Sequence, residues 1–169
     1  EVATILSNLG VNYHQQRLLK EATEAYRRSL ELHRATGDKA GIGRNLINLG
    51  VSAMEQGDYR PALELFQEAT RIQQEIGNKS HLALCFQNQG VVFLGLGCYD
   101  QGLAASGRAL TLYEELGQRY YLCQALYNQG CLLLALNDLA PARSSLSKAL
   151  ELAAEIDVPS LAAPALLRL

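Results

Sequence analysis

Leu46-Ile47-Asn48-Leu49-Gly50-Val51 is the stretch that decides the fold, because related hexapeptides stand 40 residues to either side of it and again 80 residues beyond. Leu6-Ser7-Asn8-Leu9-Gly10-Val11 precedes it; Phe86-Gln87-Asn88-Gln89-Gly90-Val91 and Leu126-Tyr127-Asn128-Gln129-Gly130-Cys131 follow. A second landmark keeps the same register: Ser29-Leu30-Glu31-Leu32, Ala69-Thr70-Arg71-Ile72, Ala109-Leu110-Thr111-Leu112 and Ala149-Leu150-Glu151-Leu152. Self-similarity at a fixed period is the mark of a solenoid or array, in which each unit stacks on its neighbours to bury a continuous core.

Each unit reads as two helices. Apolar residues recur at i, i+3, i+4 and i+7, as in Ala62, Leu65, Phe66, Ala69 and Ile72, and strand-like alternation is absent. Between the helices of a unit lie Gly57-Asp58-Tyr59, Gly97-Cys98-Tyr99-Asp100 and Asn137-Asp138-Leu139. There Gly or Asn suits a left-handed C-cap, and Asp suits the N-cap of the next helix. Pro61 and Pro141 fall in a first helical turn, where a missing N–H costs little. Gly37-Asp38, Gly77-Asn78 and Gly117-Gln118 repeat the stop-then-start pattern between units. Arg17-Leu18-Leu19 has neither Gly nor Asp and gives the weakest turn signal. The expected repeats are approximately 1–38, 39–78, 79–118 and 119–158, in one domain, with the start of a further helix at 159–169. No polar helix closes either end, so the chain reads as part of a longer array whose uncapped ends could self-associate.

These residues resemble the tetratricopeptide repeat family. Its pattern places a large apolar residue, Gly and an aromatic in helix A, and small residues at two points of helix B. Gly10, Gly50, Gly90 and Gly130 match the Gly position. Ala22, Ala62, Gly102 and Ala142, then Ser29, Ala69, Ala109 and Ala149, match the small positions, where helices approach closely. The aromatic place holds Tyr13, Ala53, Phe93 and Leu133. The 40-residue spacing exceeds the family's usual 34, and six extra residues add roughly 9 Å of helix per unit. This longer variety is similar to the repeats of Pins-type polarity adaptors, kinesin light chains and bacterial Rap-type or MalT-type regulators. The resemblance implies an all-α, right-handed superhelical solenoid of antiparallel helix pairs, four repeats plus part of a fifth.

It also implies where a ligand would lie. In the family helix A lines a concave groove, which puts Asn8, Asn48, Asn88 and Asn128 in one row. Val11, Val51, Val91 and Cys131 form a second row, and Ser7, Ile47, Gln87 and Tyr127 a third. A carboxamide offers both donor and acceptor, so a line of them can hold the main chain of an extended peptide whatever its side chains; equally, Asn at this place can bond within the solenoid. Arg44 is the one cation expected near the groove, suited to an acidic ligand residue or simply to a solvated helix start. The candidate partner-binding residues are therefore Asn8, Asn48, Asn88, Asn128, Arg44, Val51, Gln87, Val91 and Tyr127.

Composition narrows the function classes. The 169 residues are 49% hydrophobic and 19% charged, with a net charge of −2, so nothing draws the chain to nucleic acid or anionic lipid. The longest apolar stretches, such as Cys131 to Leu136, fall far short of the ~18 residues that span a bilayer. Four cysteines at 85, 98, 123 and 131 lack the spacing of a disulfide or zinc framework, which favours a reduced, cytoplasmic setting with the thiols as small apolar fillers. His14, His33 and His81 are scattered without ligand spacing, and Gly95-Leu96-Gly97 follows no strand. The expectation is a non-enzyme without cofactor that docks a protein or peptide. The competing readings are a sensor segment of a multidomain signalling protein or transcription regulator, and a self-associating spacer.

Overall fold

The computed structural model describes residues 1–160 and residue 168. Among them lie eight helices and no strand: α1 (Val2–Gln15), α2 (Leu19–Thr36), α3 (Lys39–Glu55), α4 (Tyr59–Glu75), α5 (Lys79–Gly95), α6 (Tyr99–Glu115), α7 (Arg119–Ala135) and α8 (Leu139–Glu155). None is long and apolar enough to cross a membrane. Pro159 and Ser160 are helical, and the rest of the helix expected at 159–169 falls outside the described residues, Arg168 apart.

The 40-residue period resolves into two equal halves. Residues 17, 37, 57, 77, 97, 117, 137 and 157 all have positive φ, from 54° at Asp157 to 83° at Gly57. At each of them the chain leaves a helix through the paired bonds of a Schellman turn, for example Asp58 N–H to Ala53 C=O at 2.9 Å and Gly57 N–H to Met54 C=O at 3.1 Å. Glycine supplies five of these positions; Arg17, Asn137 and Asp157 supply the others. Arg17 takes up the left-handed conformation (φ 63°) with no local sequence cue, and its exposed side chain reaches Glu55 at 3.4 Å.

Capping departs from expectation. Asp58 and Asp138 stand at N-caps without making a side-chain capping bond, and Cys98 holds the equivalent place before α6. The capping bonds form instead between helix pairs: Asp38 Oδ1 accepts from Gly41 N–H at 3.0 Å, and Asn78 Oδ1 from His81 N–H at 3.1 Å.

The chain forms two compact units, Glu1–Cys85 and Phe86–Leu169, divided within α5. In the first, α1 packs on α2, α2 on α3 and α3 on α4, and α1 also touches α3. Ala22, Ser29, Ala62 and Ala69 are wholly buried, as the small-residue pattern requires. The helix-A glycines receive rings: a Cβ on Gly10 would lie 2.5 Å from Tyr26, and one on Gly50 2.6 Å from Phe66. Between the pairs, the His33 ring lies over Gly41, with Nδ1 2.9 Å from Asp38 Oδ2.

In the second unit α7 packs against α6 and α8. Leu146 covers Gly130, Leu132 covers Gly102, and Cys123, Ala149 and Ala153 form a small core. The α6–α7 junction is aromatic, with Tyr113 and Tyr121 stacked at 5.5 Å. One electrostatic device appears in both units in the same register. The first residue of a helix A pairs with the last residue of its helix B, Lys39 with Glu75 and Arg119 with Glu155.

Candidate functional site

In a helix, residues three, four and seven apart share a face. On α5 this aligns Gln87 and Asn88 with Val91 and Leu94; on α7 it aligns Gln124 with Tyr127, Asn128, Cys131 and Leu134. The second unit brings these two faces together. Gln87 Nε2 donates to Gln124 Oε1 at 3.3 Å, and beyond that bridge the faces part around a cavity of about 510 Å³. Val91 and Leu94 line it from α5; Tyr127, Asn128, Cys131, Leu134 and Ala135 line it from α7, and Arg168 stands at its edge.

The polar end of this cleft is under-satisfied. Asn88 is 7% exposed and Gln87 9%; Asn88 Nδ2 and Gln87 Oε1 are themselves buried, without a hydrogen-bond partner among the described residues. A buried amide atom left without a partner costs about 1–3 kcal/mol. The two facing helix segments are uncharged, with no Asp, Glu, Lys or Arg between Ser80 and Tyr99 or between Tyr120 and Asn137, and Arg168 is the charged residue in the cavity's lining. Burial, and then the neighbouring Cys131 thiol, push the Tyr127 hydroxyl above its ordinary pKa against the opposing pull of Arg168. Tyr127 therefore presents a neutral O–H.

The sequence-predicted residues divide between the units. Val91, Tyr127 and Asn128 meet in one cavity, with Gln87 and Asn88 a turn away. Asn8, Asn48, Val51 and Arg44 belong to the first unit, where Asn8 is exposed and Asn48 and Val51 are half-buried. Arg44 is exposed, and its charge lowers the pKa of Asp38, after the larger contribution of the Gly41 amide, and that of His81, after burial. Sequence reasoning passed over Leu94, Gln124, Leu134, Ala135 and Arg168 as site residues. Helical spacing from Val91 and Tyr127 was signal enough for Leu94, Gln124 and Leu134. Arg168 lies outside the fourfold register and had none.

The thiols do not converge on chemistry. Burial pushes Cys85 up to about 12, against an opposing hydrogen bond from Thr70, and burial also raises Cys123, whose thiol donates to Ala149 C=O at 3.2 Å. Cys98 is exposed at the start of α6 and so is not the apolar filler expected of it. Among the described residues no group of three or more His, Cys, Asp or Glu is placed to hold a metal ion.

A family model described as Tetratricopeptide repeat matches residues 1–75 and 82–155. Comparison with the curated proteins finds no match. Among solved structures, the chain resembles BtubC (BKLC) from P. vanneervenii at 21% identity and a TM-score of 0.83, over 92% of this chain and 64% of that one. It resembles a Rap protein complexed with Competence and Sporulation Factor at 16% identity and a TM-score of 0.84, over 96% and 45%. It resembles NprR in complex with its cognate peptide NprX at 20% identity and a TM-score of 0.77, over 94% and 48%. The chain thus spans less than two thirds of each of these proteins, and the likeness is one of fold.

Proposed function

Since the chain belongs to the tetratricopeptide repeat family, we propose that it is a non-catalytic docking module holding an extended segment of a partner protein against its helix-A faces, with the α5–α7 cleft as the principal contact. One observation carries this reading: the α5 and α7 faces line a cavity of about 510 Å³ in which the Asn128 carboxamide stands among Val91, Leu94, Cys131 and Leu134. A carboxamide so placed can donate to and accept from a ligand's main chain whatever side chains the ligand bears. NprR, a protein of like fold, is seen with its cognate peptide NprX, which supports the same use of the fold here. All four cysteines are free, which supports action in a reducing compartment such as the cytoplasm. Asn8, Asn48, Val51 and Arg44 are the proposed partner contacts of the first unit, taken by itself.

Panning a phage-displayed library of random heptapeptides on the chain, followed by calorimetry of the enriched peptides, tests the proposal. Each truncation in Asn88→Ala plus Asn128→Ala removes about 1–2 kcal/mol of binding, so affinity falls by one to three orders of magnitude. Because both facing helix segments are uncharged and Arg168 is the one cation in the described lining, affinity changes little between about 50 and about 500 mM salt. Undiminished binding by the double variant removes the cleft from the account.

A further inference from the structure

Where α2 meets α3 and α4, wholly within the first unit, lies another cavity, of about 310 Å³. Part of its lining is apolar: Leu49 and Ala53 from α3, Pro61 and Leu65 from α4. Leu49 is buried, and Ala53 and Leu65 are half-buried. The repeat register accounts for the space. Tyr13 holds the place of Ala53 one period earlier and Phe93 one period later, so α3 carries a methyl where those helices carry a ring.

The polar part of the lining divides by charge. Arg27 comes from α2 with Thr23 one turn before it, whereas Gln56 and Asp58 come from the link between α3 and α4. Arg27 and Asp58 are exposed and enter no ion pair among the described residues, and the Asp58 carboxylate stands at the N-cap of α4 without bonding to it. Gln56 commits its Nε2 to Ser52, which leaves its Oε1 as an acceptor. A cation is thus offered from one side and a carboxylate with a carboxamide oxygen from the other, with apolar surface between the two sets.

We propose that this cavity binds a free α-amino acid with an aromatic or large aliphatic side chain, its carboxylate on Arg27, its ammonium on Asp58 and Gln56 Oε1, and its side chain over Leu49, Ala53 and Leu65. A guanidinium grips a carboxylate through two parallel N–H···O bonds, and an ammonium donates up to three bonds, which suits clustered acceptors. A ligand with one of these charges answers one side and leaves the other without a partner. Glycine answers both but covers none of the apolar surface. The volume lies at the small end of ligand sites, as a molecule of amino-acid size requires. None of the residues of the α5–α7 cleft takes part, so the site stands or falls independently of the docking reading.

The test titrates the isotope-labelled chain with L-phenylalanine, L-leucine, glycine, N-acetyl-L-phenylalanine and L-phenylalaninamide, followed by amide chemical shifts. The last two keep the ring and mask one charge, as the C-terminal or N-terminal residue of a peptide would. Expected are saturable shifts centred on the residues of the cavity with L-phenylalanine or L-leucine, and affinity lower by about tenfold or more for glycine and for each masked compound. Arg27→Gln and Asp58→Asn, both surface changes, should each weaken binding by about fivefold or more. Ala53→Phe supplies the missing ring and should abolish binding in a chain that still melts cooperatively. Should that ring prove too large for the fold, Ala53→Leu, with the residue found at the equivalent position 133, serves in its place. No saturable shift at about 10 mM of either amino acid, tenfold above a millimolar dissociation constant, overturns the proposal. So does a smaller gap to a masked compound, which would make this a site for a peptide end, and so does binding that survives filling position 53 or either charge change.

Discussion

Gly50 in the first unit and Gly90 in the second hold the same place in the repeat, yet only Gly50 is obliged by its neighbours to be glycine. Gly50 lies under the ring of Phe66, and an added Cβ would sit 2.6 Å from it. Gly90 faces Ser106, and its nearest neighbour would be the Gly102 carbonyl oxygen at 3.5 Å, ordinary contact distance. In the first unit the space between the helices of a pair is filled by that pair's own aromatic. In the second, the α7–α8 pair is filled by its own Leu146 over Gly130, but on α6 small residues at 102 and 106 leave room that Leu132 occupies from α7, 2.5 Å from where a Cβ on Gly102 would be. The junctions follow suit: polar His33 over Gly41 in one unit, Tyr113 stacked on Tyr121 in the other. One consensus thus specifies two ways of making a core, and the second makes α7, which carries one wall of the cleft, also the source of core packing.

The comparison breaks most visibly at the filling residue itself. Phe66 is fully buried, and Phe66→Ala should cost about 3–5 kcal/mol in urea denaturation. Ser106 at the equivalent position is buried with its hydroxyl unpartnered, so Ser106→Ala should leave stability within about 0.5 kcal/mol or raise it slightly. Equal losses at the two sites would show that the two positions are packed alike. The glycines come next. Gly50→Ala drives a methyl into the Phe66 ring and should cost about 1–3 kcal/mol, whereas Gly90→Ala meets no clash and should gain up to ~1 kcal/mol from helix propensity. Thermal melting of the two variants decides between them.

Periodicity made the fold legible because helix pairs of constant length repeat their contacts at constant sequence separation, so the hexapeptide around Asn48 and the small residues at 22, 62, 102 and 142 report one another. Turn chemistry was legible where glycine or asparagine carried it and illegible at Arg17, whose side chain gives no sign of a left-handed backbone. Asp58 and Asp138 misled for a different reason. Their position after the left-handed residue is that of an N-cap, but whether the carboxylate turns back to the helix is a local choice that spacing does not encode. The candidate site was half legible. Asn88, Val91, Tyr127 and Asn128 were visible as rows, but the burial of Asn88 beside exposed Asn8, the Gln87–Gln124 bridge and the cavity beyond it arise from how closely α5 and α7 approach.

A smaller effect separates the links inside the helix pairs. Gly57 and Gly97 turn the chain without strain, while Arg17 does so at φ 63°. A left-handed residue with a side chain carries a penalty of about 1 kcal/mol, partly offset at Arg17 by an exposed contact with Glu55 that is worth a few tenths of a kcal/mol, roughly. Arg17→Gly should therefore raise stability by less than about 1 kcal/mol, and Gly57→Ala should lower it by about 1 kcal/mol. If Arg17→Gly lowers the melting temperature, the Glu55 contact outweighs the backbone term.

The smallest effect concerns acid, and it sharpens the contrast between junctions. Asp38 caps α3; the Gly41 amide, followed by His33 and Arg44, holds its carboxyl below the ordinary carboxylate range despite the opposing effect of burial. A group depressed in the folded state contributes stability that is complete above its unfolded pKa, near 3.9, and disappears as pH falls through the lower folded value. Because the Asp38 side chain is 44% exposed, solvent screening limits the gain to well under about 1 kcal/mol. At the same place in the second unit stands Gln118, which makes no side-chain capping bond and has no carboxyl to protonate. Hydrogen exchange at the first turn of α3 should accordingly quicken, relative to that of α7 after correction for intrinsic rates, as pH drops below about 4, and Asp38→Asn should abolish the difference. Parallel behaviour of the two turns down to pH 2, a limit set roughly two units below the free carboxyl, would mean that the cap is not what distinguishes the polar junction from the aromatic one.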